Sequence, residues 1–157
     1  MTTVDALTGF APFDRLATAQ REAVAATGTE VAIDRDTTLF VADDPATGCW
    51  LIRSGQVSLR TFAPGRGEEV LQTLGPGDVL GWSWLVPPRR WHFSATADTA
   101  VTAMRLDTDR LHALAAADPA LGYPLVLGLF EVLLARLQTT RARLLDFYRS
   151  PREEAPE

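Results

Sequence analysis

Lysine and asparagine are missing altogether, and all 15 basic residues are arginine. Both missing types use A/T-rich codons, so the gap reads as genomic base bias and not as function. Cysteine is nearly absent. The single Cys49 excludes an internal disulfide, and it excludes any zinc ribbon or Fe–S cluster built within one chain. Histidine is equally scarce: His92 and His112 cannot supply a His-rich metal site alone. Positive charge is in deficit, giving a net charge of −5. An acidic chain is repelled by phosphate backbones and anionic lipid, which argues against generic nucleic-acid or membrane-surface binding. The N-terminal MTTVDALTGF has neither the basic nor the apolar region of a signal peptide. The most apolar run, 125–134, is short and interrupted by Glu131, so it reads as too little to span a bilayer. The expected location is the cytoplasm.

What is present is the composition of an ordinary globular protein, with 46% hydrophobic and 22% charged residues. A chain of 157 residues suits one compact domain or one domain with an appended helix. Residues 1–28 read as short helices, with Pro12 opening a helical turn. Residues 29–106 hold short β-runs cut by turn chemistry, among them Ser54-Gly55, Ala63-Pro64-Gly65-Arg66-Gly67 and Gly75-Pro76-Gly77-Asp78. Such spacing suggests a barrel or sandwich and not βαβ units. Val57 and Leu59 alternate with Ser58 and Arg60, the pattern of a strand with one buried face.

Residues 107–149 read as two helices. Asp107 or Thr108 caps the first, whose apolar stripe is Leu111, Leu114 and Ala115. In the second, Leu127, Phe130, Leu134, Leu137, Arg141, Leu144 and Tyr148 step by threes and fours, a seam for another helix. Self-association through residues 127–148 is expected, since Arg141 fits poorly in a purely intramolecular core. The acidic, proline-containing tail, 150–157, is expected to be disordered.

Several fragments together resemble the cyclic-nucleotide-binding domain of the catabolite-activator and FNR superfamily. Trp50-Leu51-Ile52-Arg53-Ser54-Gly55-Gln56-Val57 resembles the family's aromatic-x-Ile-x-x-Gly-x-Val strand and turn. The run from Glu69 to Gly81 resembles the strands leading into its phosphate-binding cassette. Ala97-Asp98-Thr99-Ala100-Val101 resembles the link into the last strand, and Ala135 to Leu144 resembles the start of the dimer helix. The resemblance implies a mainly β fold with flanking helices: a β-roll, or jelly-roll-like barrel, then a long C-terminal helix. It also implies a short cassette helix whose N-terminal amides meet a cyclic phosphate, a Glu for the ribose hydroxyl, and an Arg for the phosphate.

At both charged positions this chain departs from the pattern. The Glu position falls on Trp82, in Gly81-Trp82-Ser83-Trp84-Leu85, and the Arg position falls on Trp91. Arg89 and Arg90 sit just before it, displaced in register, and a bulge after Pro87-Pro88 would be needed to bring Arg90 into place. The candidate ligand-binding set is Gly81, Trp82, Ser83, Arg89, Arg90, Trp91 and His92, with Thr140 from the helix. In the resemblance, Thr139, Thr140 and Arg141 lie near the pocket mouth, where Thr140 would meet a base edge; the ordinary alternative is a hydroxyl bonded back to its own helix. The indoles would stack on a planar ligand while Arg or His meets an anion. Alternatively, Trp82 and Trp91 plug an empty barrel, leaving a ligand-free dimeric scaffold.

Other chemistries find weaker support. His92 has no partner histidine for a cupin metal site. Ser83, His92 and Asp98 contain triad residue types, but no G-x-S-x-G elbow surrounds Ser83. Haem would need His92 or Cys49 as an axial ligand, and Cys49 reads as a small buried hydrophobe. Gly75-Pro76-Gly77-Asp78 is not followed by G-K-[ST], so it is a turn and not a phosphate loop. The chain stops nine residues after Tyr148, leaving no room for a helix-turn-helix reader. The sequence thus predicts a stand-alone, non-catalytic regulatory module. It is expected to bind a small anion, with cAMP and cGMP as candidates held in a non-standard way. It would act as a homodimer and signal to an unknown protein partner through its C-terminal helix, without touching DNA or membrane.

Overall fold

The computed structural model describes residues 7–153, with side chains described through Tyr148. A 3₁₀ helix, Ala11–Phe13, opens at Pro12 as the sequence predicts, and it buries Pro12 and Phe13. Helix α1, Thr18–Ala25, follows. Eight strands come next: β1 Gly28–Ile33, β2 Thr38–Phe40, β3 Cys49–Ser54, β4 Val57–Ala63, β5 Gly67–Leu74, β6 Val79–Leu80, β7 Ser94–Ala97 and β8 Val101–Leu106. Helices α2, Thr108–Ala117, and α3, Pro119–Glu153, complete the chain.

The strands form two four-stranded antiparallel sheets, ordered β1-β8-β3-β6 and β2-β7-β4-β5. Non-sequential neighbours in both sheets make this the jelly-roll-like barrel expected from the sequence. The sheets share one core: Leu51, Ile52 and Ala103 from the first and Val57, Ala95 and Ala97 from the second are fully buried. Turn chemistry fixes where strands end. Between β5 and β6, the Asp78 amide donates to the Gly75 carbonyl at 3.0 Å. The Asp78 carboxylate accepts from the Gly75 amide at 2.9 Å, and Gly77 takes φ +91°.

One strand departs from its simple alternation. Ser58, expected on a solvent face, is buried. Its hydroxyl donates to Asp98 Oδ1 at 2.9 Å and accepts from Arg60 Nε at 2.8 Å, while Arg60 Nη2 bonds the same Asp98 oxygen at 3.1 Å. The outer face of β4 is roofed by this side-chain network, so a polar residue can be buried there with its bonding satisfied.

Asp107 caps α2, its carboxylate accepting from the Arg110 amide at 3.2 Å. The first part of α3 packs on α2 and on the 3₁₀ helix, burying Leu121, Leu125 and Leu129. Two sequence expectations for α3 need correction. The helix runs to Glu153, through the first half of the tail expected to be disordered. Pro151 removes a single backbone donor in what is already the last turn. Residues 154–157 lie outside the described region. The segment Pro119–Tyr148 is also long and apolar enough, by length and composition, to cross a bilayer. Counting one uninterrupted run underestimated it, because the glycine, alanine and tyrosine residues around that run lengthen the apolar stretch. Beyond Leu129 the helix leaves the core. Phe130, Leu134, Leu137, Arg141, Leu144 and Tyr148, six of the seven seam residues, are exposed, and Leu127 is half-buried.

Candidate functional site

The irregular segment between β6 and β7 folds over the open end of the barrel. It starts at Gly81, where φ is +103° and a Cβ would come within 3.0 Å of Trp91 and 3.1 Å of the Gly48 carbonyl. Only glycine combines that backbone with that approach. The cassette helix implied by the resemblance does not form: residues 81–90 hold turns, bends and a bridge at Arg90 but no helix, with Leu85 N–H donating to Trp82 O and Arg89 N–H to Val86 O, both at 3.1 Å. The physical reason is local. Val86 and Pro87 each precede a proline, which disfavours the helical region. The stretch left between Gly81 and Val86 is too short to offset helix nucleation. No helix N-terminus is therefore offered to an anion here.

All eight candidate residues line one cavity of about 770 Å³. Beyond that shared wall their situations differ. Trp91 is buried (3% exposed), stacked on Phe40 with ring centroids 3.8 Å apart and tilted against Trp50 at 6.1 Å. It enters the barrel, yet the cavity beside it stays open. Trp84 is buried too, its indole N–H donating to the Gly81 carbonyl at 2.9 Å. Trp82 and Ser83 are half-buried.

The two arginines singled out by position are already occupied. Arg89 takes φ +56°, and its Nη2 lies 3.1 Å from His112 Nε2. Arg90 donates to the Asp43 carbonyl at 2.7 Å, beside its antiparallel bridge to Pro45. Both are exposed, as is His92, whose ring meets Phe93 edge-on at 6.4 Å. The Thr140 hydroxyl bonds back to the Arg136 carbonyl at 2.9 Å, the ordinary behaviour of a helical threonine. The triad types do not assemble, since Asp98 is engaged by Ser58 and Arg60 away from the cavity wall.

Sequence reasoning missed the cation placed deepest in the wall. Arg136, on α3, lays its guanidinium over the Trp82 ring at 4.9 Å and donates Nη2 to the Val79 carbonyl at 2.7 Å. Burial lowers its pKa, with Asp78 and Cys49 acting in the opposite direction. The signal was available: Arg136 lies one helical turn before Thr140, so a pocket-facing Thr140 implies a pocket-facing Arg136. The same periodicity carries Phe130, Leu133, Leu134 and Leu137 onto the cavity wall.

Cys49 is buried and its thiol is pushed up to about 12, mainly by desolvation. It is therefore a neutral packing group at ordinary pH, as its sequence position suggested. Among the described residues, no group of three or more His, Cys, Asp or Glu side chains is arranged to hold a metal.

Three comparisons with known proteins bear on this geometry. The family model described as the cyclic nucleotide-binding domain matches residues 30–118, from β1 to the end of α2. The CRP-like cAMP-activated global transcriptional regulator of Mycobacterium tuberculosis is 32% identical over 116 residues, covering 74% of this chain and 50% of its own length. The nitrogen fixation regulation protein FixK of Azorhizobium caulinodans is 28% identical over 133 residues, covering 85% of this chain and 51% of its own length. The chain thus spans about half the length of the curated relatives it matches. Among solved structures, a protein of Geobacter metallireducens proposed to bind cyclic nucleotides superposes with a TM-score of 0.77 at 25% identity. That match covers 87% of this chain and 99% of the other.

Proposed function

Because the chain belongs to the cyclic nucleotide-binding domain family, we propose that it is a non-catalytic regulatory module that binds a small anionic ligand and signals through α3. The observation that carries this reading is the convergence on one cavity. Residues of the β6–β7 segment and of α3 meet there, around a half-buried guanidinium stacked on an indole. A regulator needs its ligand to touch the element that carries the signal, and here α3 supplies part of the wall. cAMP and cGMP are the first candidates, held in a non-standard way because Trp82 and Trp91 occupy the positions of the family's Glu and Arg. We place the module in the cytoplasm, working through an unidentified protein partner. Its acidic net charge supports a role without direct DNA contact.

Calorimetric titration tests the nucleotide version. Binding is expected to release heat and raise the melting temperature as ligand exceeds its dissociation constant. No heat and no thermal shift at millimolar cAMP and cGMP would sink it.

The module is proposed to pair through residues 127–148. The exposed stripe of Phe130, Leu134, Leu137 and Leu144 supports this, since a stepped apolar row is what a second helix buries. Light scattering at tens of micromolar is expected to return twice the 17.1 kDa chain mass. A Leu134→Asp/Leu137→Asp variant is expected to return the single mass. A wild-type monomer under those conditions refutes the pairing.

A second reading, a ligand-free dimeric scaffold plugged by Trp82 and Trp91, draws on the burial of Trp91, although Trp82 is only half-buried. A positive titration excludes the scaffold, which is expected to show no response to any small anion.

A further inference from the structure

We infer that the cavity is built for a carboxylic acid with an apolar body, an aryl or medium-chain acyl acid, whose carboxylate meets Arg136. This inference rests on the reading that the cavity takes a small anion, and it specifies which kind.

The charge of the wall comes first. Among the described residues, Arg89, Arg90 and Arg136 line the cavity, and no Asp or Glu does. A bound anion is therefore attracted, and no lining carboxylate neutralises the arginines beforehand. Arg136 is the one that matters. Arg89 and Arg90 are exposed and already bonded to His112 and the Asp43 carbonyl. Arg136 is half-buried and its guanidinium makes one hydrogen bond among the described residues, to the Val79 carbonyl. A guanidinium carries five N–H donors in a fork that fits a carboxylate, so donors remain for a ligand. Asp78 is near enough to act on it electrostatically but spends its own Oδ2 on the Gly75 amide. The indole N–H of Trp82, whose ring lies beneath that guanidinium, is buried without a partner among the described residues.

The rest of the wall decides the body of the ligand. Val86, Phe130, Leu133, Leu134 and Leu137 are among its lining side chains. A ribose diol set against them would find no carboxylate acceptor, and burying unbonded hydroxyls is unfavourable. A cyclic phosphate would find no helix N-terminus, because residues 81–90 form no helix. A hydrocarbon or aryl body gains from the same wall by leaving water, and one anchoring guanidinium matches one carboxylate.

The test is titration of the full chain with decanoate and 2-naphthoate, alongside the uncharged decanamide and alongside cAMP and cGMP. Decanoate and naphthoate are expected to bind, and more tightly than either nucleotide. Arg136→Gln is expected to weaken them by roughly 10–100-fold, the effect of one charge-assisted bond, and to leave decanamide unchanged. Arg136→Lys keeps the charge without the fork and is expected to fall between; it guards against a folding defect in the glutamine variant. Arg66→Gln, at an exposed turn residue outside the cavity wall, is expected to change little. Nucleotides binding more tightly than the acids would overturn the inference and leave the anion-binding reading intact. Decanamide binding as well as decanoate would overturn the role of Arg136. Binding by none of the compounds would overturn both.

Discussion

Replacing Trp91 by alanine is expected to lower the unfolding free energy by about 3–5 kcal/mol, the range for deleting a buried aromatic. The indole is 3% exposed and lies face to face with Phe40 at an interplanar angle of 13°. Stacked aromatics add to the burial term beyond their area. The backbone on either side is pinned as well: the Trp91 amide donates to Asp44 O at 3.0 Å, and Trp91 O accepts from the Asp43 amide at 2.8 Å. The vacated volume therefore cannot close by simple collapse. Trp91→Phe keeps a ring against Phe40 and is expected to retain most of the stability. Trp82→Ala is expected to cost much less, because Trp82 is only half-buried. Urea unfolding of the three variants checks the order. Equal losses at positions 82 and 91 would show that Trp91 is not the structural floor of the cavity.

The second large effect runs against intuition. Within an ordinary exposed helix, glycine to alanine is favourable by about 1 kcal/mol. Gly128→Ala in α3 is expected to destabilise instead, by about 1–3 kcal/mol, the usual cost of overpacking. A Cβ at Gly128 would lie 2.3 Å from the Pro12 carbonyl oxygen and 2.7 Å from its Cα, so the helix and the 3₁₀ segment must part. Gly122 is held the same way, 2.4 Å from the Ala115 carbonyl oxygen of α2. For a domain of this size each kcal/mol lowers the melting temperature by roughly 2–4 °C. Limited proteolysis should also release the segment before α1 more readily in the variant. A melting temperature that rises would show that helix propensity outweighs this contact.

These effects mark the boundary of what the sequence could say. Strands β5 and β7 end where the residue pattern ends them, because Gly-Pro-Gly-Asp and Asp98-Thr99-Ala100 are local turn chemistry. The cavity was legible because its candidate residues cluster in one short segment, with Thr140 added through a family resemblance. Three features were not legible, the first two for reasons of long range and the third for a local one. Ser58 is buried because Asp98 and Arg60 satisfy its hydroxyl, and a strand alternation cannot register a partner from the distant β7–β8 turn. Arg136 became the deepest cation because α3 passes close enough to β6 for its guanidinium to reach both the Val79 carbonyl and the Trp82 ring. The cassette forms no helix because two prolines within it act against the pattern that the resemblance implies.

The stripe that wraps one side of α3 has a double membership. Phe130, Leu134 and Leu137 are at once exposed surface and cavity lining. Whatever settles on that stripe therefore becomes part of the rim around the bound molecule. Occupancy of the cavity and coverage of the helix are then reciprocal equilibria: any factor by which one alters the other is returned in equal measure. If α3 pairs and the cavity is filled as proposed, a measured affinity would depend on the protein's own concentration, and dilution alone would change how much ligand it holds.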